Sequence, residues 1–326
     1  MSLVSRGRLW IPFLIASFLT LIFLGCSAKD SSRLAQVEPP TPANVELKPI
    51  SVIGGVLGSS RLNSPSDFIL DHSGNIYILD AGNNRLVKLS PEGRFLKEVG
   101  GFGGGVNQFR QPSALAFDGG INILVADSQN RRLVRFDRNL NFAGSIDTYL
   151  DMSGSERNFG LVAGVRFTNQ GDILLSDTEE DRILKLDGFY NMSGEFGGFG
   201  YGFGQLRQPA AIVVDAQDKV YVADSGNGRI AVFNPFGKFL WSIGEEELIA
   251  PRGLEIDTSG LLWVGEVGRG RVVVFSKEGR FLKEFGGGDD PQVTFSYPTS
   301  VRVSSENRLY VLDGREGSLK IFEIMR

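Results

Sequence analysis

Six acidic residues recur at a near-constant interval: Asp80, Asp127, Asp177, Asp224, Glu266 and Asp313, separated by 47, 50, 47, 42 and 47 residues. Five residues after each stands an arginine in five cases (Arg85, Arg132, Arg182, Arg229, Arg271) and Ser318 in the sixth. A carboxylate and a guanidinium at this spacing suit two kinds of chemistry. They can clamp a tight turn, the carboxylate accepting backbone N–H bonds while the arginine fork reaches it or a neighbouring carbonyl. Six acids in a ring could also bind cations. The clamp is the reading adopted, because equivalent positions of a repeat lie apart in space and repetition alone builds no site.

Other reactive groups are scarce. The 326 residues contain one cysteine and one histidine. An internal disulfide is excluded, as is any metal site needing two imidazoles, and Ser–His or Cys–His catalysis would rest on His72 alone. His72 lies in Asp71-His72-Ser73-Gly74, whose sister turns hold Asn169-Gln170-Gly171 and Thr258-Ser259-Gly260, so it reads as a solvated turn residue. The glycine-rich runs GGFGGGVNQF (100–109) and GGFGYGFGQL (197–206) lack both the G-x-x-x-x-G-K-[ST] and the dinucleotide spacing. They lead from strand to strand, whereas a phosphate loop opens onto a helix. A net charge of −4 with mixed signs offers no basic face for nucleic acid, and none is expected as a partner.

The elements that position these groups are short apolar strands. In the fourth unit the expected strands are Ala211–Val214, Lys219–Ala223, Ile230–Asn234 and Lys238–Ile243. Gly, Asn, Asp and Pro punctuate them, supplying positive or preset φ. The 42 glycines accompany ample aliphatic and aromatic residues, which marks a turn-rich globular chain. Proline opens five of six units, at Pro65, Pro112, Pro209, Pro251 and Pro298, with Val162 in that place in the third. Four strands per 42–50 residues, six times over, predict an all-β fold: a six-bladed β-propeller with four-stranded blades. The last unit ends after its third strand, and Pro49–Gly55 resembles a fourth, so the N-terminal strand is expected to pair with the last blade.

The text resembles the NHL repeat over about residues 50–326: the Gln-x-x-Pro lead-ins (Gln108 to Pro112, Gln205 to Pro209), Val-Tyr-Val-Ala-Asp-Ser-Gly-Asn-Gly-Arg at 220–229, and Gly101-Phe102-Gly103 with Gly198-Phe199-Gly200. The resemblance implies a six-bladed propeller but no particular function. The peptide-amidating and virginiamycin-type lyases on similar propellers lean on histidines that this chain lacks. A gluconolactonase-like enzyme would hold calcium with Glu, Asn and Asp at the channel mouth, where Asp67 is the one carboxylate expected.

Residues 1–25 read as a signal peptide, with Arg6 and Arg8 before an apolar run, Leu9 to Leu24, of 16 residues. That is short for a membrane span, which needs about 20. Phe23-Leu24-Gly25-Cys26 resembles a bacterial lipobox, which implies lipidation of Cys26 and, with Ser27 following, outer-membrane sorting. Residues 26–48 are expected to be a Pro/Ser-rich tether and 49–326 the ring.

Function is therefore sought in departures from the repeat. Inter-blade connections and second-to-third-strand turns share one face, because strands alternate direction. That face is expected to hold the irregular loops 147–161, 196–207, 244–252 and 286–297, with Arg110, Tyr149, Asp151, Arg157, Phe199, Tyr201, Arg207, Glu246, Arg252 and Tyr297 as candidate binding residues. Arginine and aromatics on loops of a rigid scaffold suit protein interfaces. The expectation is a lipid-anchored, monomeric propeller of the bacterial envelope. It would face the periplasm or sit at the outer membrane, bind a protein, peptide or glycan, and need no cofactor. A divalent-metal hydrolase or lactonase at the channel mouth is the alternative, and an RNA ligand the third reading.

Overall fold

The computed structural model describes residues 45–118, 120–288 and 293–326. They form six four-stranded antiparallel sheets, the blades of a β-propeller. Blade 1 runs through Asp67–Leu70, Ile76–Asp80, Arg85–Leu89 and Phe95–Gly100, and blade 4 through Pro209–Val214, Val220–Asp224, Arg229–Phe233 and Phe239–Ile243. The first strands of neighbouring blades contact one another around the whole ring, Asp67–Leu70 meeting Pro298–Val303, so first strands line the central channel. There is no single core. Six apolar clusters form instead, one at each blade interface. Between blades 1 and 2, Tyr77, Leu79 and Leu86 meet Leu115, Val125 and Phe136. Burying each such side chain contributes about 1.5–3 kcal/mol, so flat sheets with two apolar faces stack and close.

Turns repeat as faithfully as strands. Asp71, Asp137, Asp187, Asp215, Asn234 and Asp257 each accept the N–H groups of the residues two and four positions on. This side-chain bridge is what makes Asp and Asn turn residues. All six lie in the first-to-second or third-to-fourth strand turns, on the face opposite the inter-blade loops.

The acid–arginine pairs are clamps, and they reach further than the turn they flank. Asp80, Asp127 and Asp224 are fully buried and meet the Nε of Arg85, Arg132 and Arg229 at 2.7, 2.9 and 2.9 Å. Glu266 and Arg271 pair at 3.0 Å. The other carboxylate oxygen of Asp80, Asp127 and Asp224 accepts an N–H from 17 residues upstream, on Asn63, Arg110 and Arg207, at 2.7 Å each time. Arg132 donates to the carbonyls of Gly104, Gly105 and Gln108, and Arg229 to those of Gly202 and Gln205. Each clamp thus fixes the loop that enters its own blade. Blade 3 is looser: Arg182 Nε stands 3.5 Å from Asp177, which accepts instead from the turn N–H groups of Glu179 and Glu180. In blade 6 Ser318 replaces the arginine, and Lys320, two residues along the same strand, places its amine 4.0 Å from Asp313.

The ring closes as expected, with Glu46–Ile53 pairing against Ser318–Met325. The register slips between Pro49 and Ser51, where proline has no N–H to donate. The strand starts earlier than the sequence suggested. Val45 and Leu47, assigned to the tether, are buried between blades 5 and 6. Their apolar side chains pull that end of the tether into the ring. The signal peptide, Cys26 and the tether up to residue 44 lie outside the described residues, as do residues 289–292 of the loop 286–297.

Candidate functional site

Two neighbouring features occupy the loop-rich face. The first is a set of loops leading into blades 2, 3 and 4. In the loops before blades 2 and 4, a buried residue (Phe109, Leu206) anchors the base. Gln108 Oε1 accepts from Gly105 N at 3.0 Å and Gln205 Oε1 from Gly202 N at 2.9 Å, closing each loop on itself. Gly103 and Gly200, at φ +149° and +156°, make this possible: a Cβ there would stand 2.3 and 2.2 Å from those oxygens. With base and waist fixed, the aromatics can only point outward. Phe199, Tyr201 and Phe203 are 64, 66 and 89% exposed, and Phe102 is 68% exposed. Arg207 lies over the Tyr201 ring at 5.5 Å and Arg110 over Phe102 at 5.2 Å. Such stacks hold a guanidinium in place while leaving its donors open to a partner.

Between these loops in the chain, blade 3 is entered through an added hairpin, Thr148–Leu150 with Glu156–Asn158. Asp151 ties its tip, accepting from Ser153 and Ser155 N–H at 2.9 Å and from Arg157 Nε at 2.8 Å. The Ser153 and Arg157 hydrogen bonds hold the Asp151 carboxyl far below the usual carboxylate range. Leu150 and Met152 are exposed beside it. Tyr149 corrects the sequence reading. It turns inward, 5% exposed, against Phe159 and beneath Arg182, because alternate residues of a hairpin face opposite sides. It is not available to a partner. The acidic run is likewise divided. Glu245 bonds Ser242 and Arg229, while Glu246 points to solvent.

The second feature is a funnel into the channel, about 760 Å³, opening on the same face. Arg252 and Tyr297 belong to its wall rather than to the loop cluster, and Arg315 lies over the Tyr297 ring at 5.7 Å. Asp67 is there as expected, but its oxygens are taken. Ser300 Oγ donates at 2.7 Å, Arg302 Nη2 at 3.0 Å and Leu115 N at 2.9 Å. Arg302 also stands 3.7 Å from Glu255, which Arg166 approaches at 4.0 Å. Burial pushes the Glu255 carboxyl above the ordinary glutamate value, against the pull of both arginines. Sequence reasoning missed Arg166, Glu255 and Arg302. A signal existed: all three stand 11 residues before their blade's acid, where Ile69, Ala116 and Val213 are apolar. Among the described residues, no three His, Cys, Asp or Glu gather as metal ligands would. His72 is exposed in a turn of the opposite face.

This geometry places the chain among the six-bladed β-propellers. Residues 206–233 match the NHL repeat, so the chain is a propeller that carries that repeat. Fifty-one residues are 41% identical to Protein brain tumor of Drosophila melanogaster, a stretch that is 16% of this chain and only 5% of that protein's length. Virginiamycin B lyase from Staphylococcus aureus is similar in structure, with 12% identity, a TM-score of 0.57, and 83% of this chain and 82% of that one covered. A protein of unknown function from Bacteroides thetaiotaomicron superposes with a TM-score of 0.62 at 13% identity, over 86% of this chain and 76% of that one. The extracellular domain of a putative one component system from B. thetaiotaomicron gives 0.58 at 17% identity, over 86% and 42%. At these identities the structural likenesses establish the fold alone.

Proposed function

We propose that the propeller is a binding platform for a protein or peptide partner, engaged through the loops that lead into blades 2, 3 and 4. One observation carries this reading. Phe102, Phe199, Tyr201 and Phe203 are held outward by closed, clamped loops, two of them under arginines whose remaining donors are free for a partner. An exposed aromatic on a rigid loop loses little entropy on contact, and Arg with Tyr or Phe is the composition of interface hot spots. NHL repeats are in general protein-interaction modules, which supports a protein partner coarsely. Lipidation at Cys26 would hold the ring at the bacterial envelope on the tether, with the face free to turn outward. The metal-hydrolase alternative finds less support at Asp67. A guanidinium already occupies the side where a cation would bind.

The test uses full-length protein in its native membranes, with a photo-crosslinking amino acid at Phe203 or at Phe236. Both residues are exposed, the second on the opposite face. The proposal expects one dominant adduct from position 203 and none from 236. Adducts of the same mass from both positions, or from 236 alone, would count against it.

A further inference from the structure

The funnel is a site in its own right, resting on residues other than those of the loop platform. Its lining carries a single carboxylate, Asp67, against three arginines, Arg252, Arg302 and Arg315. Asp67 and Arg302 neutralise each other at 3.0 Å. That leaves Arg252 and Arg315. Among the described residues neither guanidinium has an ion pair or hydrogen bond, and Arg315 only stacks on Tyr297. Two uncompensated positive charges therefore stand at the mouth of a cavity in a chain of net charge −4. The opposite wall, from blades 3 and 4, is Val165, Ala210, Ala211 and Ile212, without a charge. A cavity of about 760 Å³ falls in the size range of small-ligand sites.

We infer that the funnel binds an organic carboxylate: an anionic head on Arg252 and Arg315 at the mouth, and an apolar body against the blade 3 and 4 wall. Arginine receives a carboxylate in bidentate fashion, and a confined, low-dielectric mouth strengthens that pair. The Arg302 network with Asp67 and Glu255 lies deeper along the first strands, and its charges are already matched. A second negative group carried into the depth of the funnel would meet Asp67, so a single-headed anion fits. Two sources offer this chemistry, a free fatty-type acid and the C-terminal carboxylate of an apolar peptide.

The experiment is titration calorimetry on the full chain with octanoate, with acetyl-Leu-Leu-Val as the free acid, with the same peptide as its C-terminal amide, and with inorganic phosphate. At least one of the two carboxylates should bind, and the amide should bind at least about tenfold more weakly than the acid, or not at all. An Arg252→Gln/Arg315→Gln double variant should lose at least about tenfold in affinity with an unchanged melting temperature, since neither side chain supports the fold. Octanoate binding as tightly as the peptide assigns a free acid, and binding of the peptide alone assigns a chain end. Amide binding equal to acid, phosphate binding tighter than either carboxylate, no binding to about 1 mM, or full affinity in the double variant each overturns the inference. Failure here leaves the loop platform untouched, because Phe203 crosslinking does not depend on Arg252 or Arg315.

Discussion

Removing the carboxylate of one blade clamp, Asp224→Ala, should destabilise the ring far more than removing a surface charge. Asp224 is fully buried and accepts from Arg207 N at 2.7 Å, Asn227 Nδ2 at 2.8 Å and Arg229 Nε at 2.9 Å. Burial pushes its own carboxyl above the ordinary aspartate value, so the pair itself adds little net stability. The damage comes from what remains. Arg229, 5% exposed, keeps only the Gly202 and Gln205 carbonyls and a 3.4 Å contact to Glu245, while the Arg207 N–H loses its acceptor. Breaking one half of a buried pair costs about 3–5 kcal/mol. For a chain of this size that is a fall in melting temperature of about 10 °C. Urea unfolding followed by tryptophan fluorescence is the assay, with the midpoint converted through a shared slope. Glu179→Ala is the control. It removes the exposed partner of Arg131, whose side chains are 45 and 39% exposed, and should cost no more than about 1 kcal/mol. Adding Arg229→Met to Asp224→Ala should recover about 1–3 kcal/mol relative to the summed single losses. If Asp224→Ala costs no more than Glu179→Ala, or the double variant is strictly additive, the clamp reasoning is refuted.

Three further outcomes follow from the same structure. Removing residues 45–53 should open blade 6, exposing the Ser318–Met325 edge and uncovering Phe322 and Ile324; size-exclusion chromatography should show aggregation, and the cooperative melt should be lost. The Glu255 carboxyl is raised by burial, so the folded chain holds a proton that the unfolded chain releases above 4.5; stability should fall as pH rises from there through the folded value, and Glu255→Gln should flatten that part of the melting-temperature profile. The Asp187 carboxyl is lowered, chiefly by the Asn191 N–H, so its contribution is present above 3.8 and lost as pH falls through the folded value. Asp187→Asn should fold normally, as Asn234 does in the same turn of blade 4, and should reduce acid sensitivity in melts below 3.8.

The ring was legible because its determinants are local and repeated. Acid, arginine, turn residue and proline recur in register, and a period of 42–50 residues with four apolar strands admits few architectures. The truncated last unit likewise announced its closing strand. The reach of each clamp, 17 residues upstream, was not legible, because it depends on the loop folding back over its own blade. Tyr149 was misplaced for want of the hairpin register that turns it inward. Arg166, Glu255 and Arg302 were missed for a different reason. They come from three blades and meet only when the ring closes, so no local pattern brings them together. Their mark was a column of the repeat that changes from apolar to charged.

The central claim is that the loops into blades 2, 3 and 4 hold a partner. The most direct measurement is affinity capture of the full-length protein from its native membranes, beside two variants. One has residues 147–161 shortened to the length of the sister loops, and the other carries Phe199→Ser, Tyr201→Ser and Phe203→Ser. The account predicts a stoichiometric partner with the natural chain that is lost or strongly depleted in at least the aromatic variant, while both variants melt as the parent does. An undiminished partner in both variants, or no stoichiometric partner from any of the three samples, would contradict it.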